Sequence, residues 1–262
     1  MNDILSEIVA NTRLEVEKDK REIPCEELYE RTKAKPCAAK HSMRASLSQS
    51  PTGIIAEFKR KSPSKGWIKK EGKPEVIPTA YEQAGAAAIS ILTNEKYFAG
   101  RLDFIQTARK NVHIPILRKE FVIDEYQLYQ AKDVNADAVL LIAAALTHNE
   151  CRNLTAKAHE LGLEVLLELH QEKELDYIDA QPDMLGVNNR NLGTFHTDVA
   201  NSFHIAPLLP HNMIWISESG ISTPDTVKHL RDIGYRGFLI GETFMRQPNP
   251  GEALKKFIQE LC

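Results

Sequence analysis

From about residue 50 onward the chain alternates short apolar runs with longer stretches whose apolar positions recur at helical spacing. The short runs predict strands at Ile54–Phe58, Ala88–Leu92, Ile114–Arg118, Ala138–Ile142, Glu164–Leu169, Met184–Asn188, Ile214–Glu218 and Gly237–Gly241, eight in all. Several are apolar almost throughout, the pattern of parallel strands covered on both faces. Between them, helical periodicity is clearest over Pro74–Gln83, Leu102–Lys110, Glu125–Val134, Asn149–Glu160, Pro224–Ile233 and Glu252–Leu261. Asp124 and Thr223 stand where helix caps stand, Pro224 suits a first helical position, and Gly162 and Gly234 follow helix ends. Eight strands alternating with helices fit a closed (β/α)8 TIM barrel better than an open doubly wound sheet. An open sheet that binds dinucleotides would need a glycine-rich turn after its first strand, and the sequence has none.

Residues 1–50 do not join that rhythm. Ile4–Lys18 carries an apolar stripe (Ile4, Ile8, Val9, Leu14, Val16), Cys25–Ala34 reads as a second helix, and Pro36-Cys37 and Ser46–Thr52 read as loop. The expected organisation is an N-terminal helical extension, 1–50, packed on a catalytic α/β barrel, 51–262.

Composition narrows the class. A length of 262 residues is normal for one such barrel. With 42% hydrophobic and 26% charged residues it reads as a soluble globular protein. The longest apolar run, Ala138–Leu146, is too short to span a bilayer, and the charged N-terminus lacks a signal-like apolar segment. Cys25, Cys37, Cys151 and Cys262 show no metal-ligand spacing and read as reduced thiols of a cytoplasmic protein. A net charge of −3 asks for neither nucleic acid nor an anionic membrane. Locally, Lys59–Lys73 holds seven basic residues and one acidic one, Glu71. That run is either a solvated loop or a cationic patch beside an anionic ligand.

In this architecture active sites lie at the carboxyl ends of the strands. Polar side chains gather there: Glu57 and Lys59 after the first strand, Lys119 after the third and Glu168 on the fifth. Asn188 and Arg190 end the sixth, and Glu218 and Ser219 the seventh. Glu57 in IIAEF and Glu168 in VLLEL are carboxylates among apolar neighbours, which lose solvation unless a cation compensates. Lys59 and Lys119 are the available cations, and such an ensemble shifts pKa values and suits proton transfer. Ser219-Gly220 and Gly241-Glu242 follow the seventh and eighth strands, where barrels often hold phosphate on backbone N–H groups; an ordinary turn is the alternative for each. The histidines form no HExxH or other ligand pattern, and no Walker loop or Gly-x-Ser-x-Gly elbow occurs. Trp67 reads as loop and Trp215 as core.

At these residues the sequence resembles the indole-3-glycerol-phosphate synthase family from end to end. The motifs are IIAEFKRKSPSKG (Ile54–Gly66), ISILTNEKYFAG (Ile89–Gly100), IPILRKEF (Ile114–Phe121) and LLEL (Leu166–Leu169). GVNNRNL (Gly186–Leu192), SESGI (Ser217–Ile221) and FLIGETFMR (Phe238–Arg246) follow in the family's order. The resemblance implies a decarboxylating, dehydrating ring closure of 1-(2-carboxyphenylamino)-1-deoxyribulose 5-phosphate in tryptophan biosynthesis, with no metal or organic cofactor. It implies Lys119 as the acid at the ketone oxygen, Lys59 on the anthranilate carboxylate and in dehydration, Glu168 as base or electrostatic partner, and Glu57 as a positioning or proton-sharing group. Asn188, Glu218 and Ser219 would hold hydroxyls and the anilino group. Arg190 would support the carboxylate or order the sixth-strand loop. Ser62, Gly220 and Gly241 match phosphate positions, and Phe98 and Phe121 match the anthranilate pocket. Some members carry serine where this chain has Glu242, so its carboxylate is expected to point away from the phosphate. The loop Arg60–Lys73, with Gly66 and Gly72 as hinges, is expected to close over substrate. Phosphoribosylanthranilate isomerase or another phosphate-binding barrel is the competing enzyme reading. A nucleic-acid-binding scaffold using the Lys59–Lys73 run is the nonenzymatic one. No oligomerisation seam is evident, and a monomer is expected.

Overall fold

The protein is described by a computed structural model that covers residues 4–35, 41–191 and 193–262; Pro36-Cys37, read as loop, and Leu192 lie outside the described residues. Eight parallel strands close into a barrel: β1 (Ile54–Phe58), β2 (Ala88–Leu92), β3 (Ile116–Lys119), β4 (Ala138–Ile142), β5 (Glu164–Leu169), β6 (Met184–Asn188), β7 (Ile214–Glu218) and β8 (Gly237–Ile240). Each pairs with its sequence neighbours, and β8 closes the ring on β1, with Phe238 opposite Ile54 and Ile240 opposite Ala56. The third strand begins two residues later than the sequence suggests. Pro115 lends its carbonyl to Ile89 but has no N–H to give the ladder.

Alternation along each strand sorts the side chains into two sets. One set (Ile55, Ala88, Leu117, Ala138, Leu140, Leu166, Met184, Ile216, Leu239) fills the barrel interior as one buried cluster. The other packs outward against the helices, Val139, Leu141, Val165 and Leu167 among it. The long helices fall where periodicity places them: Ile77–Gln83, Asp103–Arg109, Glu125–Asp133, His148–Glu160, Pro224–Asp232 and Pro250–Leu261. Asp124 and Thr223 cap as expected, accepting from the N–H groups of Tyr126 and Thr226. No described helix is long and apolar enough to cross a membrane.

Ahead of the barrel come α1 (Ile4–Glu22), α2 (Cys25–Lys33) and α3 (Met43–Gln49). The last corrects the reading of Ser46–Thr52 as loop. Ser42 accepts from the N–H of Ala45 at 3.0 Å to cap α3. Glu164, at the start of β5, accepts from the N–H of Arg44 at 2.9 Å and from the Ser42 hydroxyl, so a carboxylate anchors the helix N-terminus. Met43 and Leu47, four residues apart, join the interior cluster at the amino ends of the strands. The helix therefore forms the barrel floor.

Candidate active site

Two-residue periodicity explains the site. Counting up each strand from an interior apolar residue in steps of two passes from Ile55 to Glu57, Leu117 to Lys119, Leu166 to Glu168, Met184 through Gly186 to Asn188, and Ile216 to Glu218. The top interior layer is thus polar, and it floors a cavity of about 530 Å³ at the carboxyl ends of the strands. Every residue singled out in the sequence lines this cavity: Lys119, Glu168, Lys59, Glu57, Asn188, Glu218, Ser219, Ser62, Phe98, Phe121, Arg190, Gly220 and Gly241.

Lys119 occupies the centre. Its Nζ lies 3.3 Å from Glu168 Oε2 and 3.3 Å from Glu218 Oε2. Burial by itself would lower an ammonium pKa, but Glu168, Glu218 and Glu57 together raise it above the ordinary range. Lys59 is paired with Glu57. Burial alone would raise the Glu57 pKa; Lys59, then Lys119, outweigh it and hold the carboxyl below its usual value. The other two carboxyls are driven apart. Burial and the neighbouring charge of Glu168 push Glu218 up to about 8, while at Glu168 Lys119 and His170 outweigh burial and lower its pKa. The pair thus carries one anion and one proton near neutrality.

This has a consequence for stability. An unfolded Glu218 ionises near its ordinary value of 4.5, whereas the folded one stays protonated until about pH 8. The residue therefore costs folding stability progressively as pH rises from 4.5 to about 8, and costs none below that window. Melting curves should show Glu218→Gln more stable than wild type at pH 8, with the difference gone near pH 4. Equal melting temperatures at pH 8 would contradict the assignment.

Two glycines make room for these carboxyls. A Cβ on Gly186 would lie 2.2 Å from Glu218 Oε1, and one on Gly241 would lie 2.3 Å from Glu57 Oε1. Gly220 (φ +78) follows Ser219, which itself sits at φ +68, so two successive residues take the left-handed conformation. Asn189 fastens the turn by donating to the Ser219 carbonyl and to Ser217 Oγ, both at 3.0 Å. The Ser62 hydroxyl is buried at the cavity wall and has no hydrogen-bond partner among the described residues.

An apolar wall faces this polar floor. Phe98 and Phe121 lie with ring centroids 6.2 Å apart, and Ile4, Leu5 and Ile8 of α1 complete the wall. The contribution of α1 was not legible in the sequence, because an apolar stripe does not say which surface it covers. Glu242 borders the cavity, where its Oε1 pairs with Arg246 Nη2 at 2.6 Å.

The segment after β1 is more ordered than a loop. Lys61–Ser62 pairs antiparallel with Gly66–Trp67, the turn reached through Gly66 at φ +67. Several of its basic residues have internal partners: Arg60 donates to the Lys70 carbonyl, Lys61 to that of Lys96, and Lys69 to that of Gln247 at 2.7 Å. Arg190 donates to Ser64, and its own N–H meets Asn188 Oδ1 at 3.0 Å. Trp67, read as loop, is exposed in this hairpin, while Trp215 is buried. Among the described residues no cluster of His, Cys, Asp and Glu is disposed to hold a metal ion.

The sequence model described as indole-3-glycerol phosphate synthase matches residues 5–257. The chain belongs to the indole-3-glycerol phosphate synthase family. A family member from Bacteroides thetaiotaomicron is 59% identical over 261 residues, covering 100% of both chains. One from Salinibacter ruber is 44% identical over 262 residues, covering 98% of this chain and 96% of its own. Among solved structures, 3-hexulose-6-phosphate synthase from Salmonella typhimurium superposes with a TM-score of 0.63 at 14% identity, over 80% of this chain and 98% of its own. That likeness extends to the fold alone.

Proposed function

We propose that the cavity at the carboxyl end of the barrel carries out the family reaction. It converts 1-(2-carboxyphenylamino)-1-deoxyribulose 5-phosphate into indole-3-glycerol phosphate with loss of carbon dioxide and water. The reaction makes the chain a carboxy-lyase of tryptophan biosynthesis. The observation that carries the site assignment is the half-buried ammonium of Lys119 held between Glu168 and Glu218, beside the Lys59–Glu57 pair.

Ring closure requires the aromatic carbon that bears the carboxylate to attack the ketone. Negative charge then develops on the ketone oxygen, and Lys119, fully protonated at neutral pH, is placed to stabilise it and supply a proton. Lys59 meets the substrate carboxylate until that group leaves as carbon dioxide. Loss of water needs a proton delivered to the departing hydroxyl and another taken from the ring. The protonated Glu218 and the ionised Glu168 have complementary states for those transfers. Asn188 and Ser219 hold hydroxyls and the anilino nitrogen, and Arg190 fastens the hairpin through Ser64. Phe98 and Phe121 receive the anthranilate ring. Ser62, Gly220 and Gly241 receive the phosphate, for which the unpartnered Ser62 hydroxyl is a ready donor.

The test is indole-type fluorescence during incubation of the purified chain with the carboxyphenylamino substrate. A rise is expected. If the folded chain gives none but isomerises phosphoribosylanthranilate, the isomerase reading replaces this one.

A further inference from the structure

Glu120 follows Lys119 directly, one residue beyond β3, and the proposed reaction gives it no part. It is buried and belongs to the cavity lining. Three donors meet its carboxylate. Oε2 accepts from the Thr93 hydroxyl at 2.7 Å. Oε1 accepts from the Asn94 side-chain amide at 3.2 Å and from the N–H of Phe121 at 3.0 Å. Arg118 donates to Thr93 Oγ1 at 3.3 Å, which leaves the hydroxyl its own proton for Glu120. The first residues after β2 and β3 are thereby tied together, and the Thr93 N–H adds a bond to the Lys119 carbonyl at 3.3 Å.

Each tie leads to an aromatic ring. Asn94 caps the short helix Glu95–Phe98: its Oδ1 accepts from the Tyr97 N–H at 3.1 Å while its amide donates to Glu120. The Gly100 N–H returns to the Asn94 carbonyl at 2.9 Å, so the turn that carries Phe98 is fastened to Asn94 at both ends. The other ring, Phe121, is bound to Glu120 through its own backbone.

We infer that Glu120 is a positioning residue that sets Phe98 against Phe121 and so shapes the seat of the anthranilate ring. The inference rests on the reading of those two residues as the ring pocket. Their centroids stand 6.2 Å apart with 34° between the ring planes. The rings belong to different loops, and packing alone would leave each loop free to shift against the other. A carboxylate that accepts from both loops removes that freedom, because it is an acceptor with two oxygens for several donors. A carboxylate meant to act on substrate would keep an oxygen turned to the cavity, whereas both oxygens of Glu120 are taken by the protein. A tie that served stability alone would have no bearing on which part of a ligand the site prefers. That difference is measurable.

Calorimetric titration of the intact chain with two probes tests it. One probe is 1-(2-carboxyphenylamino)-1-deoxyribitol 5-phosphate, whose reduced ketone cannot cyclise; the other is ribulose 5-phosphate, which has no ring. Glu120→Ala is expected to bind the ring-bearing probe about tenfold more weakly, the scale of a lost aromatic contact. Ribulose 5-phosphate should bind as it does to wild type. Equal loss for both probes, the mark of a site loosened throughout, overturns the inference, and so does unchanged affinity for the ring-bearing probe. Should Glu120→Ala fail to fold, Asn94→Ser decides. Serine keeps a capping oxygen for the helix Glu95–Phe98 but has no amide to reach Glu120. The same ring-selective loss is expected there, and its absence overturns the inference. If wild type itself binds the ring-bearing probe no more tightly than ribulose 5-phosphate, the ring-pocket reading fails and takes the inference with it. A ring-selective wild type whose variants stay equally selective sinks the inference alone.

Discussion

Lys119→Met should lower kcat on the order of 10²-fold or more with KM affected far less, because the lost interaction acts on charge that develops only during ring closure. The fluorescence assay measures it directly. The variant keeps the volume of the aliphatic stem but leaves Glu168 and Glu218 without the cation that lies 3.3 Å from each. Two buried carboxylates deprived of their shared counter-ion retain protons to higher pH. Residual activity should therefore be displaced toward alkaline pH as well as reduced. A variant with wild-type kcat would remove Lys119 from the acid's role while leaving the family assignment intact.

Gly186→Ala should be almost as damaging, through space rather than charge. Its new methyl would meet Glu218 Oε1 at 2.2 Å and Leu166 Cδ1 at 3.2 Å, so the carboxyl must swing out of its seat. Displacement of a reacting group by about an ångström can cost about 10²-fold in rate. Strain of this kind costs about 1–3 kcal/mol in stability, so the variant should remain folded at 25 °C and lose activity disproportionately. Thermal melts run beside the fluorescence assay separate the two effects. An active, fully stable Gly186→Ala would mean that Glu218 has latitude the geometry denies it.

The barrel was legible because its strands are nearly uninterrupted apolar runs and its longer helices carry several turns of periodicity. The site was legible for a related reason. A charged residue such as Glu168, placed two residues beyond Leu166 on an apolar strand, marks both the inward face and its upper end. Shorter elements escaped. Glu95–Phe98, Ala200–Ile205 and Glu242–Met245 span too few turns to show a period. In α3 the apolar signal is only Met43 and Leu47 among serines, and the cue that would have served was Ser42 as a cap. Gly186 was passed over because its contribution is an absent side chain.

The floor of the barrel has a bearing on how the chain is made. During synthesis α3 leaves the ribosome before any strand, and its Met43 and Leu47 belong in a cluster with Ile216 and Leu239, nearly two hundred residues later. Until β7 and β8 emerge, that apolar face lacks part of its native cluster, and the ring it closes does not yet exist. The nascent protein thus carries an incompletely covered hydrophobic surface until its last strands emerge, a period when chaperone capture and misassociation compete with folding.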